Sequence, residues 1–167
     1  MMTNAHVVAG TRDVVVETSR GQLEGTVVVY DPKRDLAVIR VPGLKAQALS
    51  FVSKQAASGA SAIVLGYPQD GPYNAQSARV RDVGDITGPD IYESGDVTRE
   101  IYTIKSLVRS GNSGGPLITP NGQILGVIFA AAADDKNVGF ALTAAEAAPV
   151  AKLGRESTRG VKTGECA

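Results

Sequence analysis

A chain of 167 residues is long enough for one domain or two small subdomains with a real hydrophobic core. Its 17 Lys and Arg balance 17 Asp and Glu, so no net field gathers nucleic acid or anionic lipid, and a nucleic-acid partner is not expected. The hydrophobic fraction of 43% is ordinary. No apolar run nears the ~20 residues of a membrane-spanning helix, and Met1 to Gly10 lacks the basic start and apolar stretch of a signal peptide.

Short β-branched runs punctuated by Gly, Pro, Asn and Asp predict an all-β sandwich or barrel. In chain order the expected strands are Val14–Thr18, Gln22–Tyr30, Leu36–Val41, Ala62–Gly66, Ala75–Val83, Ile101–Ile104, Pro116–Ile118, Ile124–Phe129 and Gly139–Leu142. Thr143 reads as the N-cap of a short Ala-rich helix, Ala144–Leu153, which Pro149 should strain or end. Residues 1–50 then form an N-terminal unit, 51–61 a small polar linker, 62–153 a second unit, and 154–167 a loosely held tail with charges and glycines but no periodicity. Cys166, the single cysteine, has no internal disulfide partner and no metal-ligand spacing around it.

The stretch Gly111-Asn112-Ser113-Gly114-Gly115 fits G-x-S-x-G and raises Ser113 as a nucleophile. A serine hydroxyl needs an adjacent base, usually histidine, and the chain has one, His6. Chain order separates the known triad architectures. An α/β-hydrolase elbow needs its histidine after the serine, and none follows Ser113. The subtilisin order needs an aspartate before the histidine, and Met1 to Ala5 contains no acid. The order His, Asp, Ser of the chymotrypsin-like double β-barrel is left. Between two aspartates, Asp31 precedes Pro32 and reads as a turn residue. Asp35 opens a strongly apolar strand, where a buried acid needs a partner.

"TNAHVV" around His6, "DPKRDLAVIRV" around Asp35 and "SGNSGGPL" around Ser113 resemble the three triad segments of trypsin-like serine proteases. The resemblance runs from Thr3 through "GFALTA" at Gly139–Ala144 and is closest to the HtrA and MarP-like bacterial periplasmic branches. "VLGYP" at Val64–Pro68 and "GPDIY" at Gly88–Tyr92 look like the MarP-type acid-resistance protease. The resemblance implies a double β-barrel with a short C-terminal helix and a serine endopeptidase acting through an acyl-enzyme, with no cofactor and no metal. Ser113 would be the nucleophile, His6 the general base and acid, and Asp35 the group that orients the imidazole. The backbone amides of Gly111 and Ser113 would form the oxyanion hole.

Leu107, Ile128, Phe129, Ala130, Ala131 and Phe140 are expected to line the primary specificity pocket, which favours a small or medium apolar residue before the cut. Asn112 stands where trypsin-like enzymes commonly carry the aspartate that pairs with a newly cut amino terminus, so no such zymogen switch is expected. The family ordinarily begins some tens of residues before its histidine, and His6 is almost at the start. The first barrel is therefore expected to lack its opening strands, leaving this chain poorly active alone. By the same resemblance the full protein works outside the cytoplasm, tethered through an N-terminal region, with peptide or protein substrates and no oligomer. Cys166 could then pair with a cysteine of that region. The rival readings are an esterase-like hydrolase built on the same triad and a catalytically inactive, protease-derived binding module.

Overall fold

The structure, a computed structural model, describes residues 1–11 and 13–167. They form two compact units, one of Met1–Ala48, Pro89–Val97 and Pro149–Ala167, the other of Leu49–Gly88 and Thr98–Ala148.

The first unit is built on an open, four-stranded antiparallel sheet in the order β1 (Met2–Thr3), β4 (Leu36–Arg40), β3 (Gly21–Asp31), β2 (Val14–Thr18). The run Leu-Ala-Val-Ile in β4 is buried along its length, which explains why it is continuously apolar rather than alternating. Val8, Val27, Ala37 and Ile39 form the core, with Val14, Tyr30 and Val41 packed on it. Two elements are absent from the sequence reading: β1 and the one-turn helix α1 (Ala5–Val8). Both are too short to carry a period, and tertiary pairing makes them. Met2 lies opposite Val38 and Thr3 opposite Ala37. The Met1 α-amino group donates to the Ile39 carbonyl at 2.7 Å. This edge carries the chain directly to His6.

The C-terminal stretch is not loosely held. Val161 N–H donates to Val27 O at 2.9 Å and Gly10 N–H to Thr163 O at 3.1 Å. The buried Thr163 hydroxyl donates to Thr11 O at 2.6 Å. The Tyr92 hydroxyl lies 2.6 Å from that of Tyr30 and reaches the carbonyls of Thr163 and Glu165. Backbone groups make most of these ties, so they leave no hydrophobic pattern in the sequence.

The second unit is a closed barrel of β10 (Val138–Thr143), β7 (Asp96–Lys105), β6 (Asn74–Pro89), β5 (Ser61–Gly66), β8 (Pro116–Ile118) and β9 (Ile124–Ala131), neighbours in that order. Its core includes Val64, Val80, Tyr102, Ile104, Leu117, Leu125 and Ile128. β6 and β7 run well beyond their expected limits, through added residues that are mostly polar and none of them buried; a hydroxyl pair, Thr87 with Thr98 at 2.8 Å, bridges them. The segment 51–61 belongs to this unit throughout. Val52 N–H donates to Ile124 O, Gly59 N–H to Val80 O, and Ala56 N–H to the buried Tyr102 hydroxyl at 2.9 Å.

Helix α2 (Ala144–Glu156) continues through Pro149, past its expected end. A proline there removes one helical hydrogen bond. Burial of Ala147 and Val150 on either side offsets the loss. The Thr143 hydroxyl donates to the Glu100 carboxylate at 2.7 Å.

Candidate active site

His6 and Asp35 meet within the first unit. His6 sits in α1, and Asp35 is the last residue before β4. The Asp35 carboxylate receives both polar groups that His6 offers on this side, the backbone N–H at 2.9 Å on Oδ1 and Nδ1 at 2.8 Å on Oδ2. Asp35 is buried, whereas about a third of the His6 side chain is exposed. A carboxylate on Nδ1 favours the tautomer with its proton there, which leaves the Nε2 lone pair free to accept one. Asp31 closes the preceding turn instead, its Oδ1 accepting Arg34 N–H at 3.0 Å and its Oδ2 lying 2.9 Å from Arg34 Nη1.

Asp35 has φ +57°, a left-handed conformation that Asp tolerates better than most residues. Asn4, fully buried, donates from Nδ2 to the Asp35 carbonyl at 2.8 Å. Its Oδ1 has no hydrogen-bond partner among the described residues, an omission that costs on the order of 1–3 kcal/mol.

Ser113 lies in the second unit, in the turn between β7 and β8. The turn is held by hydrogen bonds from Asn112 N–H to Arg109 O (3.0 Å), Gly114 N–H to Ile128 O (2.9 Å) and Gly115 N–H to Asn112 O (3.0 Å). The amides of Gly111 and Ser113 make no hydrogen bond among the described residues, whereas the carbonyls of the same two peptide units are both engaged. Ser110 O accepts from Gln69 N–H at 2.7 Å and Asn112 O from Gly115 N–H at 3.0 Å. In a trans peptide the N–H points opposite to the C=O, so pinning these carbonyls fixes the direction of both free amides. Gly111 has φ +88°, and a Cβ there would run into the Tyr67 carbonyl oxygen. Only glycine fits.

Asn112 is buried against Gly66, and its Oδ1 has no donor among the described residues. Of the expected pocket residues, Ile128 has a fully buried side chain in the barrel core, and its backbone bonds Gly114 and Gly115 of the nucleophile turn. β9 is buried without a break from Leu125 to Ile128, and the half-buried Phe129 follows where the register with β10 slips by one residue. The half-buried rings of Phe129 and Phe140 lie 6.4 Å apart, and the Arg99 guanidinium sits 5.6 Å over Phe129. Leu107 and Ala130 are half-buried, and Ala131 is exposed. The sequence reading passed over Asn4 and Gln69. Gln69 contributes a backbone N–H, which no side-chain motif records, while Asn4 stands inside the "TNAHVV" segment but reads there only as a polar neighbour of His6.

A closed β-barrel bearing a serine turn with two free amides, in a chain that also carries a buried Asp paired with a part-exposed His, defines a class. The chain belongs to the trypsin-like peptidase domain family, whose model matches residues 1–127. The serine protease Rv3671c of Mycobacterium tuberculosis H37Rv is 49% identical over 168 residues, covering 99% of this chain and 42% of that protein. The putative serine protease HhoB of Synechocystis is 32% identical over 159 residues, covering 91% of this chain and 36% of its own length. The chain thus spans less than half of these curated relatives. Among solved structures, the active form of the M. tuberculosis Rv3671c protease superposes with a TM-score of 0.94 at 50% identity, covering 99% of this chain and 73% of that one. The inactive form gives 0.83, covering 92% and 78%. The chymotrypsin-like fold expected from the motifs is therefore the fold of this chain.

Proposed function

We propose that this chain carries the catalytic machinery of a serine endopeptidase that hydrolyses peptide bonds in protein substrates through Ser113, His6 and Asp35. Ser113 Oγ attacks the scissile carbonyl while His6 Nε2 takes its proton; the imidazole returns that proton to the leaving amine, and water then resolves the acyl-enzyme by the same route. Asp35 holds the imidazole and stabilises its charged form. The amides of Gly111 and Ser113 receive the developing oxyanion.

The observation that carries this reading is the nucleophile turn, where the two amides an oxyanion would need make no hydrogen bond among the described residues, each on a peptide whose carbonyl is pinned. The Asp–His pair at 2.8 Å supports the acid–base role. Similarity to the active form of the M. tuberculosis protease supports it further. The segments beside the turn, Leu107–Ser110 and Ile128–Ala131, contain no acid, which favours a small or medium apolar residue before the cut. A cleavage profile dominated by Arg or Lys would contradict that preference. An extracytoplasmic site of action is supported by similarity to proteins such as the DegP-like protein of Chlamydia pneumoniae, described as a probable periplasmic endoprotease and 33% identical over 147 residues.

The test is labelling with a fluorophosphonate probe, with the adduct located by mass spectrometry, in this chain, its Ser113→Ala variant and a form extended at the N-terminus. Removing a triad serine typically costs about 10⁶-fold in turnover, so the control is decisive. Adduct on Ser113 in either active-serine form supports the endopeptidase; none in both points to a binding module.

A further inference from the structure

We infer that Asn4 is a positioning residue for the Asp35–His6 pair, acting through the backbone of Asp35. The inference builds on the acid–base role proposed for these two residues and adds the group that sets their geometry. Asn4 is the N-cap of α1, with φ −79° and ψ 154°, yet its side chain makes no capping bond. The helix amide that such a cap would take, that of His6, goes to Asp35 Oδ1 instead. Asn4 in turn donates Nδ2 to Asp35 O at 2.8 Å. The two residues have exchanged duties: Asp35 caps the helix that bears His6, and Asn4 holds the main chain of Asp35.

That exchange bears on the site because Asp35 is in a left-handed conformation, φ +57°, immediately before an extended strand. Left-handed and extended backbone aim a carboxylate in different directions. The Asn4 bond to the carbonyl selects the rotation that brings Oδ1 to His6 N–H and Oδ2 to His6 Nδ1. Asn4 is fully buried and keeps this donor at the expense of an orphaned Oδ1, which an apolar residue of similar size would not carry. What the bond to Asp35 O adds to stability the orphaned Oδ1 takes back, so stability alone does not account for the arrangement.

The test uses the fact that His6 is the chain's only histidine, so its ring nitrogens give an unambiguous ¹⁵N signature. In the wild-type chain we expect the Nδ1–H tautomer with a low-field, hydrogen-bonded proton. Asn4→Ala removes the donor and the orphan together; Asn4→Leu does the same while filling the space, and serves if the alanine variant does not fold. Either folded variant should lose the low-field resonance or mix tautomers. The rate of probe labelling at Ser113 should fall roughly 10²-fold, the size expected for a misplacement of about 1 Å. A folded variant that keeps the resonance, or that labels within about twofold of wild type, overturns the inference. If the wild-type chain is not labelled, the endopeptidase reading fails, and the resonance alone decides the role of Asn4.

Discussion

Gln69 N–H donates to the Ser110 carbonyl at 2.7 Å, and through that one bond a loop more than forty residues upstream in the chain sets the direction of the Gly111 amide. Gln69 does so from a left-handed conformation, φ 57° and ψ 38°, followed by Asp70 at φ 55°. Such positions cost of order 1–3 kcal/mol in non-glycine residues and persist where the surroundings enforce them. Because the contribution is a backbone N–H, side-chain truncation is a poor probe. Gln69→Gly keeps the donor and relieves the backbone, so labelling of Ser113 should be unchanged and the melting temperature equal or higher. Gln69→Pro removes the donor and imposes φ near −65°, so labelling should slow by roughly tenfold or more. Equal rates for the two variants would show that the loop does not govern the turn.

Gly111→Ala should damage both folding and chemistry. Its φ of +88° is left-handed, and a Cβ would meet the Tyr67 carbonyl oxygen, so the peptide must rotate. The left-handed backbone alone costs an alanine roughly 1–2 kcal/mol. Rotation of the 110–111 peptide would withdraw one of the two free amides, and loss of one oxyanion donor typically costs about 10²–10³ in rate. Urea unfolding reports the first effect and the labelling rate the second. A variant that is destabilised but labels at the wild-type rate would remove Gly111 from the proposed oxyanion hole.

The parts of this molecule legible in the sequence are those whose residues bury apolar surface with a period or carry reactive side chains. Leu36–Val41 and Ile124–Phe129 could be read as strands because their β-branched residues fill cores, and the partnership of Asp35 with His6 could be read because an acid that opens an apolar strand needs a partner. The outer halves of β6 and β7 could not, since their stability comes from main-chain pairing and an exposed threonine pair rather than burial. Ile128 was legible as a neighbour of the nucleophile turn but not as a core residue, because a bulge at Phe129 breaks the strand's alternation there and no sequence period marks it. Asn4 and Gln69 were illegible for a related reason: both act on backbone groups, one with a side-chain amide and one with its own N–H.

The loop that follows β6 should respond to acid. The Asp90 carboxylate accepts Ser94 Oγ at 2.5 Å, Ser94 N–H at 3.0 Å and Tyr92 N–H at 2.9 Å. Ser94, through its hydroxyl first and its amide second, holds Asp90 below the usual carboxylate range. With the folded value depressed below an unfolded value of about 3.9, the folded loop binds fewer protons in between. Its stabilisation is complete above that pH and is lost as pH falls through the depressed folded value. Ser94→Ala should therefore speed amide exchange at Tyr92 and Ser94 at neutral pH, with the gap from wild type narrowing below about pH 4. An equal gap at both pH values would assign the effect to packing rather than to the carboxylate.

Gly154→Ala offers a test in which helix propensity and packing oppose each other. Glycine in a helix interior is worse than alanine by roughly 0.8–1.0 kcal/mol, so propensity alone predicts stabilisation. Gly154 lies in α2 and is flush against β4, where a Cβ would sit 2.5 Å from Val38 Cγ1 and 2.8 Å from Val38 Cβ. Val38 is branched at Cβ and buried in the strand that starts beside Asp35, so it cannot simply swing aside. Overpacking of this kind costs typically about 1–3 kcal/mol, which exceeds the propensity gain over most of its range. The variant should therefore unfold at lower urea than wild type. Adding Val38→Ala should recover part of the difference, because the two changes share one contact and need not add. Stabilisation by Gly154→Ala alone would mean that α2 and β4 separate at little cost.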